Sequence, residues 1–574
     1  MTTYTVPRGQ GTYADTLMAL GLGRLLKTLN SQGEVRIHLA ADQDAFTLDI
    51  SQPVLIEAGT AIELYDYIKT ERDNTSLASA FDYEREKERR QQFFKWRENN
   101  KKTPMTEVPE SVFPRPDYSL YSSLVDMLKP MDTSGYATAH RELASERFCE
   151  HVKIALDAFD GDGSPLSKAD AGLKIRLKGN KFNEVSVVQI FNPVTGKGMN
   201  APKPNSIGMG QEKAPLILEA LKYTGWFIGA VAVTPKGSKD LKVLVVQPAD
   251  IELETLRQIM TEFRQEFMGG GAIQLDILAA LTLTETLLRH DEHKTLKRGR
   301  PKDILSGFQT AYFQNLGSAK GVTNISFIAL PSWVRLADEN TEGQRKTWLA
   351  VLEEHRRVIR NLDESHSEER HLLEQYRDFL SGQDVHAFLE FLSNYGPHAL
   401  RLADRGKFVL WMTTENLGRV LGNMEHAERN NIHRIITDAG FQSVAGAIRR
   451  ATRSSLYAKK LQNDRTYDIH YGLAQDLKRS AVTKTKFMAA LSDFVAEYMN
   501  ENLRAADRGK RGRAAVTTED LLSVGILLDN NDPQMVAMLL IAYGYAKEPK
   551  EETGEAEPTP ADDVSPESNQ EEQA

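Results

Sequence analysis

The residues best placed to do chemistry in this chain are cations, and their spacing suits contact with phosphate. From Arg449 to Arg513 there are 15 Lys+Arg against 7 Asp+Glu, a balance of +8 in a chain of net charge −9. Arg449, Arg450, Arg453, Lys459, Lys460, Lys478, Arg479, Lys484 and Lys486 precede an apolar stripe of Phe487, Leu491, Phe494 and Tyr498. The stripe recurs at steps of four, three and four residues, which puts it on one helix face. Arg504, Arg508, Lys510, Arg511 and Arg513 follow it. A helical unit that keeps a core stripe and gathers positive charge around it can track a phosphate backbone without reading bases. The same charges also fit a solvated basic surface.

A second candidate is the segment FNPVTGKGMNAPKPNS, residues 191–206. The amides of Asn192, Asn200 and Asn205 can hydrogen-bond base edges. Lys197 and Lys203 can meet phosphates or base acceptors, and the glycines let backbone approach a groove. An ordinary long turn has the same composition. The Walker-type GxxxxGKS/T pattern is missing here, so this is not a P-loop. In LKIRLKGNKF, residues 173–182, Leu173, Ile175 and Leu177 alternate with Lys174, Arg176 and Lys178. That period predicts a strand whose cationic face meets phosphate or solvent. Lys297, Arg298, Gly299, Arg300, Pro301 and Lys302 have the pattern of an AT-hook, whose extended backbone lies in a narrow minor groove. A solvated basic loop is the alternative.

Catalytic constellations are thin. His290 and Asp291 form an HD dipeptide with His293 close by, but a metal-dependent HD nuclease needs further histidines brought together in space. The 13 histidines give no second cluster, so His290 reads as a helix-end residue. No Ser/His/Asp set, Walker motif or zinc-spaced cysteines can be assigned. The expectation is a protein with no catalytic residue, no metal and no cofactor. A metal-dependent HD-type nuclease or another DNA-processing enzyme is the alternative.

These residues must be positioned by a chain long enough for several domains, and its 41% hydrophobic content suffices for real cores. A single cysteine, Cys149, excludes an intrachain disulfide and fits a reducing compartment. No apolar run approaches the ~18 residues of a membrane span. MTTYTVPRGQ has no basic-then-apolar signal region, so a soluble cytoplasmic protein is expected. Residues 547–574 hold 10 acidic and 2 basic residues and almost nothing apolar, which predicts a disordered tail.

A helix is predicted over 12–30, with Gly21 and Gly23 marking close packing, then strands at Val35–Ala40 and Phe46–Ile50. Residues 184–191 read as a strand, and 224–233 with 241–247 as a hairpin. Helices are predicted at about 250–267 and 273–290, parted by three glycines. From about 340 to 545 the pattern is helical, with Asp532 and Pro533 as one helix start. The fold class is therefore α+β. A mixed α/β N-terminal domain spans 1–335, with a charged insertion at about 80–118. A helical connector spans 336–410, an all-α C-terminal bundle 411–546, and a disordered acidic tail 547–574. A fragment starting near Met412 or Met424 is expected to fold alone.

Three regions together resemble the large subunit of type I CRISPR surveillance complexes (Cascade), of the kind with a small-subunit-like helical bundle at its C-terminus. They are GTYADTLMALGLGRLL (11–26), FNPVTGKGMNAPKPN (191–205), and YDIHYGLAQDLKRSA to KFMAALSDFVAEYMNENLR (467–504), followed by VTTEDL and MLLIAYGYA. The resemblance implies a non-catalytic subunit near the 5′ handle of a guide crRNA. It implies that the α/β part reads a protospacer-adjacent motif in target double-stranded DNA, starts strand separation and helps stabilise the R-loop, with loop 191–205 as reader. The bundle would hold the displaced single strand, and sequence specificity would come mainly from guide pairing. Implied partners are the other subunits of the complex and a recruited helicase-nuclease or transposition proteins, with no membrane. The resemblance also implies, for some relatives, a separate small subunit translated from the C-terminal region. A DNA-binding scaffold outside CRISPR is the remaining alternative.

Overall fold

The computed structural model describes residues 2–548 except 41, 53, 55, 57–67, 70–80, 102, 105, 106, 114, 116, 128–141, 144, 146, 162, 181, 182, 195–212, 268, 291–298, 318, 319, 338–340, 383 and 425–427. The acidic tail from residue 549 onward and part of the 80–118 insertion lie outside the described residues. The fold is α+β, with an α/β N-terminal region followed by an all-helical one.

Two four-stranded antiparallel sheets organise the N-terminal region. Strands β1 (Thr2–Pro7), β2 (Val35–Leu39) and β3 (Ala45–Ile50) pair in the order β1-β3-β2, extended by β10 (Asp250–Glu252). The second sheet runs β12-β11-β9-β8, from β8 (Ala230–Val233), β9 (Leu241–Pro248), β11 (Leu305–Asn315) and β12 (Lys320–Ala329). Only Ala249 separates β9 from β10, so the chain passes directly from one sheet to the other. Short pairs complete the strands: β4 (Ile68–Lys69) with β5 (Phe81–Asp82), and β6 (Glu184–Ser186) with β7 (Lys213–Pro215).

Helix α1 (Tyr13–Leu29) starts at the Thr12 cap. In chain order come α2 (Tyr83–Asn99), α3 (Tyr118–Met127), α4 (Phe148–Phe159), α5 (Pro165–Arg176), α6 (Leu216–Gly229), α7 (Leu253–Glu266) and α8 (Ala272–Arg289). Helices α1 and α6 cross with their backbones in contact. A Cβ at Gly21 would stand 1.9 Å from the Leu221 carbonyl oxygen, and one at Gly225 would stand 1.9 Å from that of Leu17. Gly21 is thus the close-packing residue its position predicts. Gly23 meets only side chains at ordinary distance.

Three strand expectations fail. Residues 173–176 end helix α5, which begins with Ser164 as N-cap and Pro165 at its first position. Ala169, Leu173 and Leu177 are buried at four-residue steps, while Ile175 is 81% exposed. The short alternation of cations hid that helical period. Of 184–191 only Glu184–Ser186 is strand. Residues 224–229 finish α6, because a helix buried on all sides carries no polar period to separate it from a core strand. The hairpin partner assignment survives, with β8 antiparallel to β9 and Ala230 opposite Val245.

The C-terminal region comprises α9 (Thr341–Arg360), α10 (Ser367–Gly382), α11 (Val385–Asp404), α12 (Thr414–Gly422), α13 (Glu428–Ile436), α14 (Ala439–Arg449), α15 (Ser455–Leu461), α16 (Leu473–Ser480), α17 (Lys484–Asp507), α18 (Thr518–Asn530) and α19 (Pro533–Tyr545). A π-helical turn, Arg450–Ser454, joins α14 to α15. Asp532 caps α19 and Pro533 opens it, as predicted. Helix α19 is the core of the bundle, packed between α14 and α11. Lys547 then exchanges backbone hydrogen bonds with Met412 (2.8 Å) and Thr414 (2.9 Å). Phe487, Leu491, Phe494 and Tyr498 are all buried along α17. No helix among the described residues is long and apolar enough to cross a membrane.

Candidate nucleic-acid interface

The loop after β6 is built on a rigid base. Strands β6 and β7 pair across it, and the Leu216 amide donates to the Asn183 carbonyl at 2.8 Å. Tyr13 Oη donates to the Ile190 carbonyl at 2.8 Å. Asn192 is 1% exposed, and its amide donates to Glu219 Oε2 and to the Val188 carbonyl, each at 3.1 Å. Lys222 Nζ donates to Asn192 Oδ1 and, at 2.7 Å, to Glu219 Oε1. Glu219 and Lys222 are themselves buried on α6, so each ion is compensated in place. Asn192 is therefore a structural anchor and not the surface contact expected of it. A sequence shows the amide but not the Glu–Lys pair that takes it. Lys197, Asn200, Lys203 and Asn205 lie outside the described residues.

Asp15 stands beside this base. Burial raises its carboxyl to about 6, against hydrogen bonds from the Gln10 and Gly11 amides and the charges of Lys222 and Arg8, which pull it down. The Gln10 and Gly11 amides donate to its Oδ2 at 3.0 and 2.9 Å, fixing the turn that leads into α1.

Lys174, Arg176 and Lys178 sit at the exposed C-terminal end of α5. Arg176 is paired with Asp157 at 3.0 Å and Glu150 at 3.4 Å. Lys174 and Lys178 make no ion pair among the described residues. In the described part of the AT-hook-like segment Arg300 is extended and Pro301 opens a turn. Lys297 and Arg298 lie outside the described residues, and Gly299 exchanges two 2.9 Å backbone hydrogen bonds with Leu336. Pro301 is buried at the start of a 3-10 turn that includes Lys302, and the Arg300 amide donates to Asp303 at 3.1 Å. Burial, with the charge of Arg300, holds the Lys302 ammonium below its usual range. The described part of the motif, residues 299–302, is thus fastened to the body. Beside Leu336 opens a cleft of about 570 Å³, lined in part by Arg335, Trp348, Arg419 and Asn423.

Most of the C-terminal cations expected to face a strand are already engaged. Arg449 is buried and caps the end of α19, donating to the carbonyls of Ala546 (2.9 Å) and Tyr543 (2.7 Å) and pairing with Glu548. Its expected role as a surface contact is corrected accordingly. Arg450 donates to Tyr498 Oη at 2.7 Å, and Arg453 lies over the Trp411 ring at 5.4 Å. Lys459 is 3.6 Å from Asp404, and Lys460 donates to the carbonyls of Ala403 and Asp404. Lys478 meets Glu390 at 2.8 Å, Ser393 at 3.1 Å and Asn394 at 3.2 Å. Arg479 pairs with Asp476 at 2.6 Å, and Lys484 pairs with Asp529. Of these nine, Lys460 and Lys486 are exposed without an ion pair among the described residues, and Lys460 is held by its two carbonyls, which leaves Lys486. The partners Asp404, Glu390 and Asp529 come from other helices, which is why charge counting along the sequence overstates the patch.

The freer cations lie just beyond the stripe. Arg504, Arg508, Lys510 and Arg511 are exposed and make no ion pair among the described residues. Arg513 is held instead, its guanidinium 3.9 Å from the Tyr467 ring and 4.1 Å from the Tyr498 ring, with Glu501 at 2.7 Å. Glu501 also meets His470 Nε2 at 2.8 Å, and Glu497 stands 4.0 Å from His470 Nδ1. Hydrogen bonding to Glu501 raises the imidazole above its ordinary value. His470, Glu497 and Glu501 are types that can ligate a metal, but Glu501 already has two protein partners.

His290 ends α8, with Nδ1 at 2.8 Å from Glu262. This is the helix-end position its sequence context predicts. Asp291 and His293 lie outside the described residues. No protein-family model matches the chain, and no curated protein matches it in sequence.

Proposed function

We propose that this chain is a non-catalytic, nucleic-acid-binding large subunit of a type I CRISPR surveillance complex. In this role it reads a short flanking motif in duplex DNA, and its helical region helps hold the strand displaced by the guide. The observation that carries the reading is the described base on either side of residues 195–212. There β6 pairs with β7 and Asn192 is locked by Glu219 and Lys222, next to a sequence rich in asparagine, lysine and glycine. Such anchoring suits a reader, because a loop with a fixed root loses less conformational freedom on binding. The free cations Arg504, Arg508, Lys510 and Arg511 support the second half of the reading, and the resemblance of the three quoted regions supports the assembly.

The test is duplex binding by the complex assembled on this chain. Lys197→Ala with Asn200→Ala should weaken target binding by ~1–3 kcal/mol per lost base contact and leave guide-RNA association intact. Wild-type affinity in the double variant would remove the loop from the account. Metal-dependent cleavage by the purified chain that is lost in His290→Ala would instead favour a nuclease.

A further inference from the structure

A surface of aromatic and cationic side chains lies where the end of α11 meets α15. Arg453, Tyr457 and Lys460 recur four and three residues apart and share one face of the π turn and α15. Two contacts seat that face on the end of α11 and the segment that follows it. Arg453 stacks on Trp411, and Lys460 bonds the Ala403 and Asp404 carbonyls. Tyr457 stands between these two contacts and remains 40% exposed. Phe408, in the facing segment between Asp404 and Trp411, is 66% exposed. Arg405 and Lys407 flank it, exposed and without an ion pair among the described residues. Asp404, at the end of α11, is paired with Lys459 at 3.6 Å.

Isolated exposed aromatics need no explanation. Here two of them, set among cations and beside an Asp404 already paired with Lys459, match one chemistry. Base faces stack on aromatic rings while phosphates meet the charges between them. The π turn that sets the face is itself a local departure of the kind found at functional sites.

We infer that Phe408 and Tyr457 form a base-stacking platform for single-stranded nucleic acid, with Arg405 and Lys407 meeting its phosphates. The inference rests on the nucleic-acid reading above but goes beyond charge tracking, because it requires bases. It is tested with the full chain and two fluorescent probes read by anisotropy: an oligodeoxythymidylate of about 15 nucleotides and an abasic sugar-phosphate strand of the same length. The thymidylate should bind at least about tenfold more tightly. Phe408→Ala and Tyr457→Ala should each weaken thymidylate binding by about tenfold while leaving the abasic strand unaffected. Tyr457→Phe should restore binding. Both side chains are exposed, so the fold should persist, which a melting curve checks. Equal binding of the two strands would overturn the platform and leave the basic surface standing. Binding of neither would overturn the single-strand part of the proposed function as well.

Discussion

The free and the engaged cations of the bundle should separate cleanly in a salt titration. Each phosphate neutralised on a single strand contributes about −0.7 to the slope of log affinity against log salt. Changing Arg504, Arg508, Lys510 and Arg511 together to glutamine removes four exposed charges with no ion pair among the described residues, so the slope should flatten by up to about 3 units. Changing Lys478, Arg479, Lys484 and Lys486 removes as many formal charges. Three of these already face Glu390, Asp476 and Asp529, so only Lys486 has its charge available, for about 0.7 of a unit. The assay is anisotropy of a labelled single strand over a tenfold range of salt, with melting curves as a control because Lys478 has three polar partners. The buried stripe on α17 is untouched in either set. A larger flattening from the second set would refute the reasoning, since it would mean that the intramolecular pairs open freely to phosphate.

Other outcomes follow from the same geometry. Asp15 holds its carboxyl at about 6, above the ordinary 3.8, so between those values the folded chain keeps a proton that the unfolded chain has lost, and stability falls as pH rises through that window. Asp15→Asn should therefore gain on wild type by up to ~3 kcal/mol between pH ~4 and pH ~7, and a denaturant-midpoint difference that stays constant with pH would contradict this. Gly225→Ala drives a Cβ into the Leu17 carbonyl and should cost ~3 kcal/mol or more, whereas Gly9→Ala, with open space around it, should melt like wild type; equal melting of both would argue against the backbone crossing. A fragment from Met412 to Glu548 lacks α11, whose Gly396 packs on Tyr545, so it should self-associate through the bared face of α19 while one starting at Asp384 stays monomeric. A monomeric, cooperatively melting short fragment would favour the boundary expected from sequence instead.

Local signals predicted local structure well. Asp532 caps the helix it precedes, the helix expected over 12–30 forms as Tyr13–Leu29, the strands at 35–39 and 45–50 follow their alternation, and the stripe on α17 is buried. The errors came where two periods coincide. Leu173 and Leu177 satisfy both a strand and a helix, and the Ser164–Pro165 start signal was the cue that decides between them. Strands β11 and β12 escaped notice although they form half of the second sheet. The candidate site was less legible because engagement of a charge depends on residues distant in sequence. Glu219 claims Asn192, and Tyr543 and Ala546 claim Arg449, across 27 and about 100 positions. Phe408 and Tyr457 carry no motif, and exposure became visible only once α11 and α15 were placed together.

The most direct test is isolation of the chain from cells under native conditions, followed by sizing and sequencing of any nucleic acid that stays with it. Membership in a guide-RNA complex predicts short RNA of one discrete length, with variable interiors between constant ends, in stoichiometric company with other subunits. A chain that purifies free of RNA, or with RNA of scattered length and origin, would contradict the proposed function.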